Sequence, residues 1–371
     1  MSIATRVCEV LSASDAQDSA RWEALVGSAR TPDVYYRPAY VRAYERAGQG
    51  KGIALVIGAG QARILVPILL RPLHELPFAR GEPGLDATTP YGYGGVLLLS
   101  GPAPFTKEDA AGVVKTLREW CLSTGVVSCF LRLHPLLDQE HLLGWAKHEE
   151  NGLVLCYHVP TTAVNLTDWD QHAGRIRSMN ATRRRHLNLA RRRLRLTWHS
   201  NGTAHGEALR AFEGLYRQTM NRHRADSFYF FSGDYFAALA EGLGDRFALA
   251  LAWLDDEPVG ANIFLADGSH AHYHLGAANE VGLKSHASTL LLNAGAAWAV
   301  QHGAKLLHLG GGTRGADSLF QYKRSYGGPI FTYSAYGFIV DESRYTALVE
   351  RRLASLNQPP LRDGYFPAYR A

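Results

Sequence analysis

The chain has little of what a secreted, metal-stapled or membrane-spanning protein needs. Its four cysteines, Cys8, Cys121, Cys129 and Cys156, include no C-x-x-C pair. They read as buried or incidental thiols of a reducing compartment, not as a disulfide frame or a zinc site. The first residues hold no apolar core of a secretory leader. The longest apolar stretch, residues 289–300, contains Asn293 and is too short to cross a bilayer. No G-x-S-x-G elbow, H-E-x-x-H pair or P-loop occurs, so serine-hydrolase, zinc-protease and ATPase readings find no support. A cytoplasmic protein without a transmembrane segment is the expectation.

What is present is ordinary globular composition, 46% hydrophobic and 20% charged. Length 371 is long for one core and comfortable for two domains. The net charge of +5 gives a mild bias toward polyanions: RNA, nucleotide sugars, coenzyme A or the surface of a membrane. The basic excess is concentrated. Residues 171–196 contain nine arginines and no acid. Leu187, Ala190 and Leu194 fall at i, i+3 and i+7, which predicts an amphipathic helix over 181–196. Its arginines are either the solvated face of a domain-connecting helix or a phosphate-binding surface for tRNA, with Arg184, Arg191 and Arg195 as the candidates. The planar guanidinium fork suits phosphate.

Gly310, Gly312 and Gly315 satisfy the G-x-G-x-x-G pattern of dinucleotide sites. The context does not fit. That turn opens the first strand–helix unit of a doubly wound sheet, whereas this one lies near residue 310 and precedes a short aromatic run, 318–326. The turn instead follows a strand-like stretch, 305–309, and leads through Asp317-Ser318 to Lys323.

The same element order can be read twice. Helices near 22–29 and 38–47 precede a hairpin over 52–70, the segment Pro90-Tyr91-Gly92-Tyr93-Gly94-Gly95, a strand over 96–99, a helix over 107–123 and a strand over 126–133. Helices over 207–222 and 233–242 precede a hairpin over 247–265 that turns at Asp255-Asp256-Glu257. A strand over 270–276, a helix over 285–302 and a strand over 305–309 complete the second copy. The offset is roughly 180–195 residues. The expected class is α/β, with two domains of similar topology, each a mixed, mostly antiparallel sheet flanked by helices. The boundaries are 1–158 and 159–371, with 340–371 packing back on the first domain. A cleft is the default ligand site.

This order resembles the GNAT N-acyltransferase fold. Its tandem form is similar to the Fem family of aminoacyl-tRNA-dependent peptidyltransferases and to related acyltransferases described as BioF2-like. The carrying segments are Tyr273-His-Leu-Gly276, the helix with Trp298-Ala299, Leu306-Leu-His-Leu-Gly-Gly-Gly312, and Asp317-Ser-Leu-Phe-Gln-Tyr-Lys-Arg-Ser-Tyr-Gly327. The last matches a GGG…D-S-L-F-x-F-K-x-x-F-G pattern with Tyr322 and Tyr326 in place of phenylalanine. The resemblance implies an acyl donor held by the second domain and an acceptor, a nucleotide-linked or other small molecule, held by the first. It implies no tightly bound cofactor, with aminoacyl-tRNA as co-substrate and acyl-CoA as the alternative. No long heptad insertion follows Gly242, so no coiled-coil arm is expected. Residues 279–288 lack the Q/R-x-x-G-x-G/A run that cradles the coenzyme A pyrophosphate.

Matched position makes Lys323 the catalytic candidate, a cation for the donor's 3′ end or for a tetrahedral oxyanion. Tyr322 and Phe320 are candidates to orient that ammonium or to stack on a terminal adenine. Gly311, Gly312, Arg314 and Ser318 complete the donor side. Tyr273 and His274 are substrate-binding candidates, as are Arg222, Arg224 and Tyr229, whose alternative reading is a helix end with basic residues at its negative pole. Tyr91 and Tyr93 either line an acceptor cleft or form a turn-rich strand entry, and Asp86 is the nearest acid to them. No general base stands out among His274, His286 and Asp317, and Asp317 also suits a helix cap. His270, His272 and His274 alternate on one strand without a nearby acidic or cysteine partner, so no metal is assigned.

The leading function is amide formation by aminoacyl transfer to an amine of a cell-wall precursor or small metabolite. The alternatives are an acyl-CoA-dependent N-acyltransferase acting on a sugar amine or amino acid, and a non-catalytic RNA- or nucleotide-sugar-binding protein. If residues 181–196 hold tRNA, replacing Arg184, Arg191 and Arg195 weakens binding and lowers the slope of log affinity against log salt by about one per lost contact, read by filter binding.

Overall fold

The computed structural model describes residues 6–59, 62–100, 105–139, 153–200, 206–312, 315–355 and 365–371. The chain divides into two units, Met1–His158 with Thr332–Ala371, and Val159–Phe331. The first contains β1 (Arg6–Ser12), α1 (Ala16–Gly27), α2 (Pro38–Arg46), β2 (Lys51–Ala59), β3 (Ala62–Pro72), β4 (Leu85–Thr88), β5 (Leu97–Ser100), α3 (Lys107–Ser123) and β6 (Val126–Arg132). Strand β7 (Leu153–Asn165) runs from the first unit into the second. There follow β8 (Trp169–Asp170), β9 (Arg175–Ile176), α4 (Ala181–Arg191), β10 (Arg195–Ser200), α5 (Glu207–Arg222), α6 (Gly233–Leu243), β11 (Phe247–Leu254), β12 (Glu257–Asp267), β13 (His270–Ala278), α7 (Glu280–Lys284), α8 (Ala287–Gln301), β14 (Leu306–Gly311) and α9 (Ser318–Arg324). Strand β15 (Ile330–Ile339) returns the chain to the first unit, where α10 (Glu342–Ala354) lies.

Helix ends carry local signals. Asp15 accepts from Asp18 N at α1, Pro38 opens α2, and Thr106 with Asp109 forms a reciprocal capping box at α3. Both units then repeat one topology. The first four strands pair antiparallel, β1-β2-β3-β4 and β10-β11-β12-β13, with β5 added to β3. The fourth and fifth strands pair parallel through a crossover helix: α3 joins β4 to β6, and α8 joins β13 to β14. Each unit adds one more antiparallel strand, β15 on β6 over Ala335–Ile339, and β7 on β14 over Thr161–Asn165. These last strands are exchanged in sequence. β7 follows β6 in the chain but completes the second unit, and β15 follows β14 but completes the first.

The helix expected over 181–196 ends at Arg191. Arg195–Ser200 is the edge strand β10, paired to β11 from Arg195↔Trp253 to Ser200↔Ala248. The helical stripe misled because Leu194, though buried, belongs to the turn between helix and strand. A six-residue edge strand with one partner carries too little alternation to outweigh the arginine-rich run before it.

Apolar burial follows the layers. In the first unit Ile53, Leu55, Ile57, Ile64 and Val66 meet Val113 and Leu117 of α3, with Tyr336 and Phe338 of β15 in the same core. In the second, Ala248, Ala250, Ala252 and Phe264 meet Leu291, Ala296 and Ala299 of α8. A fully buried leucine is worth about 1.5–3 kcal/mol. α8 is apolar nearly all round, as a helix covered on several sides must be. Its one interior amide, Asn293, accepts from Ile176 N at 3.2 Å and donates to Gly174 O at 3.0 Å, which fixes β9 against the helix. Among the described residues no helix is long and apolar enough to cross a membrane.

A second, smaller core in the first unit gathers Leu73, Leu76, Val127, Leu348 and Tyr369. Beside it Asp86, fully buried, accepts from Arg71 Nε at 2.6 Å and from Arg370 Nε. This triad ties β4 to β3 and to the end of the chain, so Asp86 is engaged in structure rather than displayed to an acceptor. Removing the shared anion leaves two arginines facing each other without a counter-charge. Asp86→Asn is expected to cost about 3–5 kcal/mol in chemical denaturation, the usual loss when one partner of a buried ion pair is removed.

Candidate active site

The second unit contains an opening in its sheet. β13 and β14 pair in parallel only over His270↔Leu306, Ala271↔Leu307 and His272↔His308. Beyond that point β13 continues against β12 alone, and β14 continues against β7 through Gly310↔Thr162 and Gly311↔Thr161. Two irregularities accompany the parting. The β12–β13 register shifts between Ile263 and Phe264, which leaves His274 as an extra residue on β13, and the β14–β7 register shifts between His308 and Gly310. A bulge of this kind bends the strand and re-aims its side chains. The facing edges are left with backbone polar groups that no strand satisfies, and a ligand can take them.

Lys323 reaches this opening from α9. Its Nζ donates to Gly311 O on β14 at 2.7 Å and stands 5.8 Å from the ring centroid of Tyr273 on β13. The residue is 8% exposed. Burial pushes its ammonium down to about 8, against an upward pull from Asp317. Asp317 caps α9, accepting from Phe320 N at 3.0 Å, as its sequence position suggests. Gly311 and Gly312 keep this corner tight: a Cβ on Gly311 would lie 2.8 Å from Pro160 O, and one on Gly312 would collide with the Asp317 carboxylate.

Around the lysine, Tyr322 and Tyr326 share a hydroxyl–hydroxyl hydrogen bond of 2.9 Å, and the Arg183 guanidinium lies 5.0 Å over the Tyr322 ring. Burial raises the Tyr273 and Tyr322 phenols above their ordinary value, so both stay protonated donors at neutral pH. Gly276 carries no Cβ because Tyr273 and Asn262 occupy that space. His274 Nε2 is 3.0 Å from Tyr235 OH, and burial, then His272, pushes its imidazole down to about 3. A neutral imidazole of that basicity serves to place Tyr235 rather than to collect a proton.

The structure brings together Lys323, Tyr322, Gly311, Gly312 and Tyr273, with His274 at the bulge of β13. Ser318 is exposed at the start of α9, whereas Phe320 is 3% exposed and packs inward, away from any stacking ligand. Arg314 lies outside the described residues. Arg222 donates to Ala278 O at 3.0 Å and, with Gln218, Asn279, Glu280 and Val281, lines a cleft of about 420 Å³. Arg224 is exposed with φ +48°, and Tyr229, 37% exposed, accepts through its carbonyl from Tyr216 OH. The arginines of 181–196 separate. Arg184 donates to Met179 O at 2.5 Å, and Arg191 to the carbonyls of Ala173 and Gly174. Arg195, on β10, lies 5.2 Å over Trp253. Arg191 therefore holds a loop.

The equivalent position of the first unit is filled. After β4 and β6 part, Thr89 N donates to Phe130 O at 2.9 Å, and Arg132 Nη1 donates to Thr88 Oγ1 at 2.8 Å and to Thr89 O at 2.6 Å. Gln139 bridges Tyr36, Val96 and His134. Tyr93 packs edge-on against Tyr35 and Tyr333, at 5.6 and 5.3 Å, and the Tyr91 carbonyl accepts from Tyr40 OH. His134 Nδ1 accepts from Leu136 N at 3.2 Å, which leaves the proton of a neutral ring on Nε2, 3.2 Å from the Asp33 carboxylate. Sequence reasoning passed over this pair because the partners lie far apart in the chain and neither sits in a motif.

Residues 176–324 match the family model described as an acetyltransferase (GNAT) domain. No curated protein matches the chain by sequence. Among solved structures, a FemX shares the fold with a TM-score of 0.65 and 13% identity, over 93% of this chain and 99% of that one. The C-terminal domain of a putative lysylphosphatidylglycerol synthetase from Agrobacterium fabrum gives 0.54 and 12%, over 86% and 92%. A tandem GNAT protein from the clavulanic acid biosynthesis pathway gives 0.51 and 12%, over 90% and 98%. At such identities the likeness is one of fold. The chain is accordingly an acyltransferase of tandem GNAT fold, its second unit carrying an acetyltransferase (GNAT) domain over residues 176–324 and 93% of its length sharing the fold of a FemX.

Proposed function

We propose that the protein forms amide bonds by moving an aminoacyl group from aminoacyl-tRNA to an amine of a cell-wall precursor or small metabolite, with the donor in the second unit. The observation that carries the reading is the buried Lys323 ammonium between the diverged ends of β13 and β14. Attack of a neutral amine on an ester carbonyl places negative charge on the carbonyl oxygen. Nζ spends one proton on Gly311 O and has two more to offer such an oxyanion or a 3′-terminal ribose. Removing a preorganised donor of this kind costs about 10²–10³ in kcat. Because the counterpart in the first unit is closed, the donor is assigned to the second unit and the acceptor to the first, with Tyr91 and Tyr93 as its candidate contacts. The fold shared with FemX and with a putative lysylphosphatidylglycerol synthetase supports the choice of donor.

A second reading takes acyl-CoA as the donor. It draws on the description of the matched domain as an acetyltransferase. Incubation with labelled aminoacyl-tRNA and with acyl-CoA pools separates the two. Loss of label from tRNA that falls about 10²-fold in Lys323→Ala is the expected result, and thiol release from acyl-CoA alone would replace the first reading by the second.

The sign of the pH dependence follows from the lysine. If the charged form acts, kcat/KM falls as pH rises through about 8, where Nζ loses its proton. Lys323→Arg lowers the rate but moves that fall beyond the accessible range, because guanidinium stays charged. A profile that instead rises through the same pH assigns Lys323 as a base and removes the oxyanion role.

A further inference from the structure

His186 of α4 and His286, the residue preceding α8, stack face to face in the second unit. Their ring centroids are 3.8 Å apart and their planes 5° from parallel. Arg183 and Arg185 flank them on α4. Arg183 Nη1 donates to Thr289 Oγ1 at 3.3 Å, and its guanidinium covers the Tyr322 ring, next to Lys323. Among the described residues, the charges that shift the two rings are those of Arg183 and Arg185 and, for His186, its stacked partner, with no carboxylate among them. α8 and α9 contribute the uncharged Thr289 and Tyr322, and α7 adds another cation, the exposed Lys284, two residues before His286. Among the described residues, Arg183 Nε and His186 Nδ1 are buried with no hydrogen-bond partner. His286 is held in the left-handed region, φ +61°, and its side chain does not cap α8.

Two stacked imidazoles between two arginines repel one another once protonated, so such a cluster is at ease only when an anion joins it. Buried polar atoms without partners are costly as well. We propose that His186, His286, Arg183 and Arg185 form a phosphate-recognition site for the acyl donor, a proposal that rests on the transferase reading above. Here side chains do the work of the glycine-rich loop that residues 279–288 lack. The shared chemistry is a phosphate ester, supplied either by a tRNA end or by coenzyme A.

A bound phosphate reverses the local electrostatics. Burial and the neighbouring arginines hold both imidazoles below their ordinary value in the free protein. An anion favours the imidazolium form, so binding takes up protons and tightens as pH falls through the imidazole range.

Calorimetric titration with a tRNA acceptor-stem hairpin and, separately, with coenzyme A tests this at pH 6 and pH 8, in two buffers of different ionisation enthalpy. The expected result is affinity higher by about tenfold or more at pH 6, with proton uptake, for at least one ligand. In the double variant His186→Gln, His286→Gln that difference disappears while the melting temperature is kept. Should the double variant fail to fold, Arg185→Ala, on the exposed side of α4, weakens the same ligand and lowers its salt slope. A response confined to the hairpin names the tRNA phosphate, and one confined to coenzyme A names that cofactor. Equal affinity at both pH values, binding unaffected by these substitutions, or no binding of either ligand overturns the site. Lys323-dependent transfer alongside such a failure leaves the transferase reading standing. Intact pH-dependent binding without transfer from either donor does the reverse.

Discussion

The early parting of β13 from β14 is the constraint on which the second unit depends. Three residue pairs hold the parallel strands together, and then each keeps only its outer neighbour. An opened sheet exposes backbone polar groups at the centre of a domain, which is tolerable only where something polar arrives to meet them. In this protein the first arrival is Lys323. The lysine can sit there because α9 is short, is capped by Asp317, and starts from a corner where Gly311 and Gly312 admit close packing. The lowered basicity of its ammonium is the cost of that burial, and it brings the charge of the group within reach of physiological pH.

The first unit shows what the same topology does without such a lysine. β4 and β6 part as well, but Arg132, Thr89 and Gln139 close the gap with internal hydrogen bonds, and Tyr35, Tyr93 and Tyr333 fill the space beside it. Two copies of one fold thus differ in whether internal hydrogen bonds close the gap between the parting strands or a buried lysine reaches into it. The exchange of β7 and β15 gives each copy its last strand from elsewhere in the sequence.

Much of the fold was legible because its elements carry strong local signals. The hairpins 52–70 and 247–265, the capped helix α3 and the apolar helix α8 are set by alternation, by caps and by composition, all of which act over a few residues. The edge strands β1 and β10 were not legible. Short edge strands have one partner and little pattern, and at β10 the arginine-rich stretch imposed a helical stripe that the chain abandons at Arg191. Among the candidate site residues, Lys323, Tyr322, Gly311 and Gly312 lie within one continuous segment, which is why the sequence groups them. The pairing of Asp86 with Arg71 and Arg370 was not legible, because Arg370 is remote in the chain.

The sequence by itself determined the class, the doubled element order and the glycine–aspartate–lysine corner, since each is written in neighbouring residues. Tertiary structure decided which groups face one another: the lysine against Tyr273, His186 against His286, Asp86 between two arginines, and the strand that closes each sheet. Those pairings join residues tens to hundreds of positions apart. Their energies come from burial and from the loss of water around charge, and neither can be assigned until the chain has closed on itself.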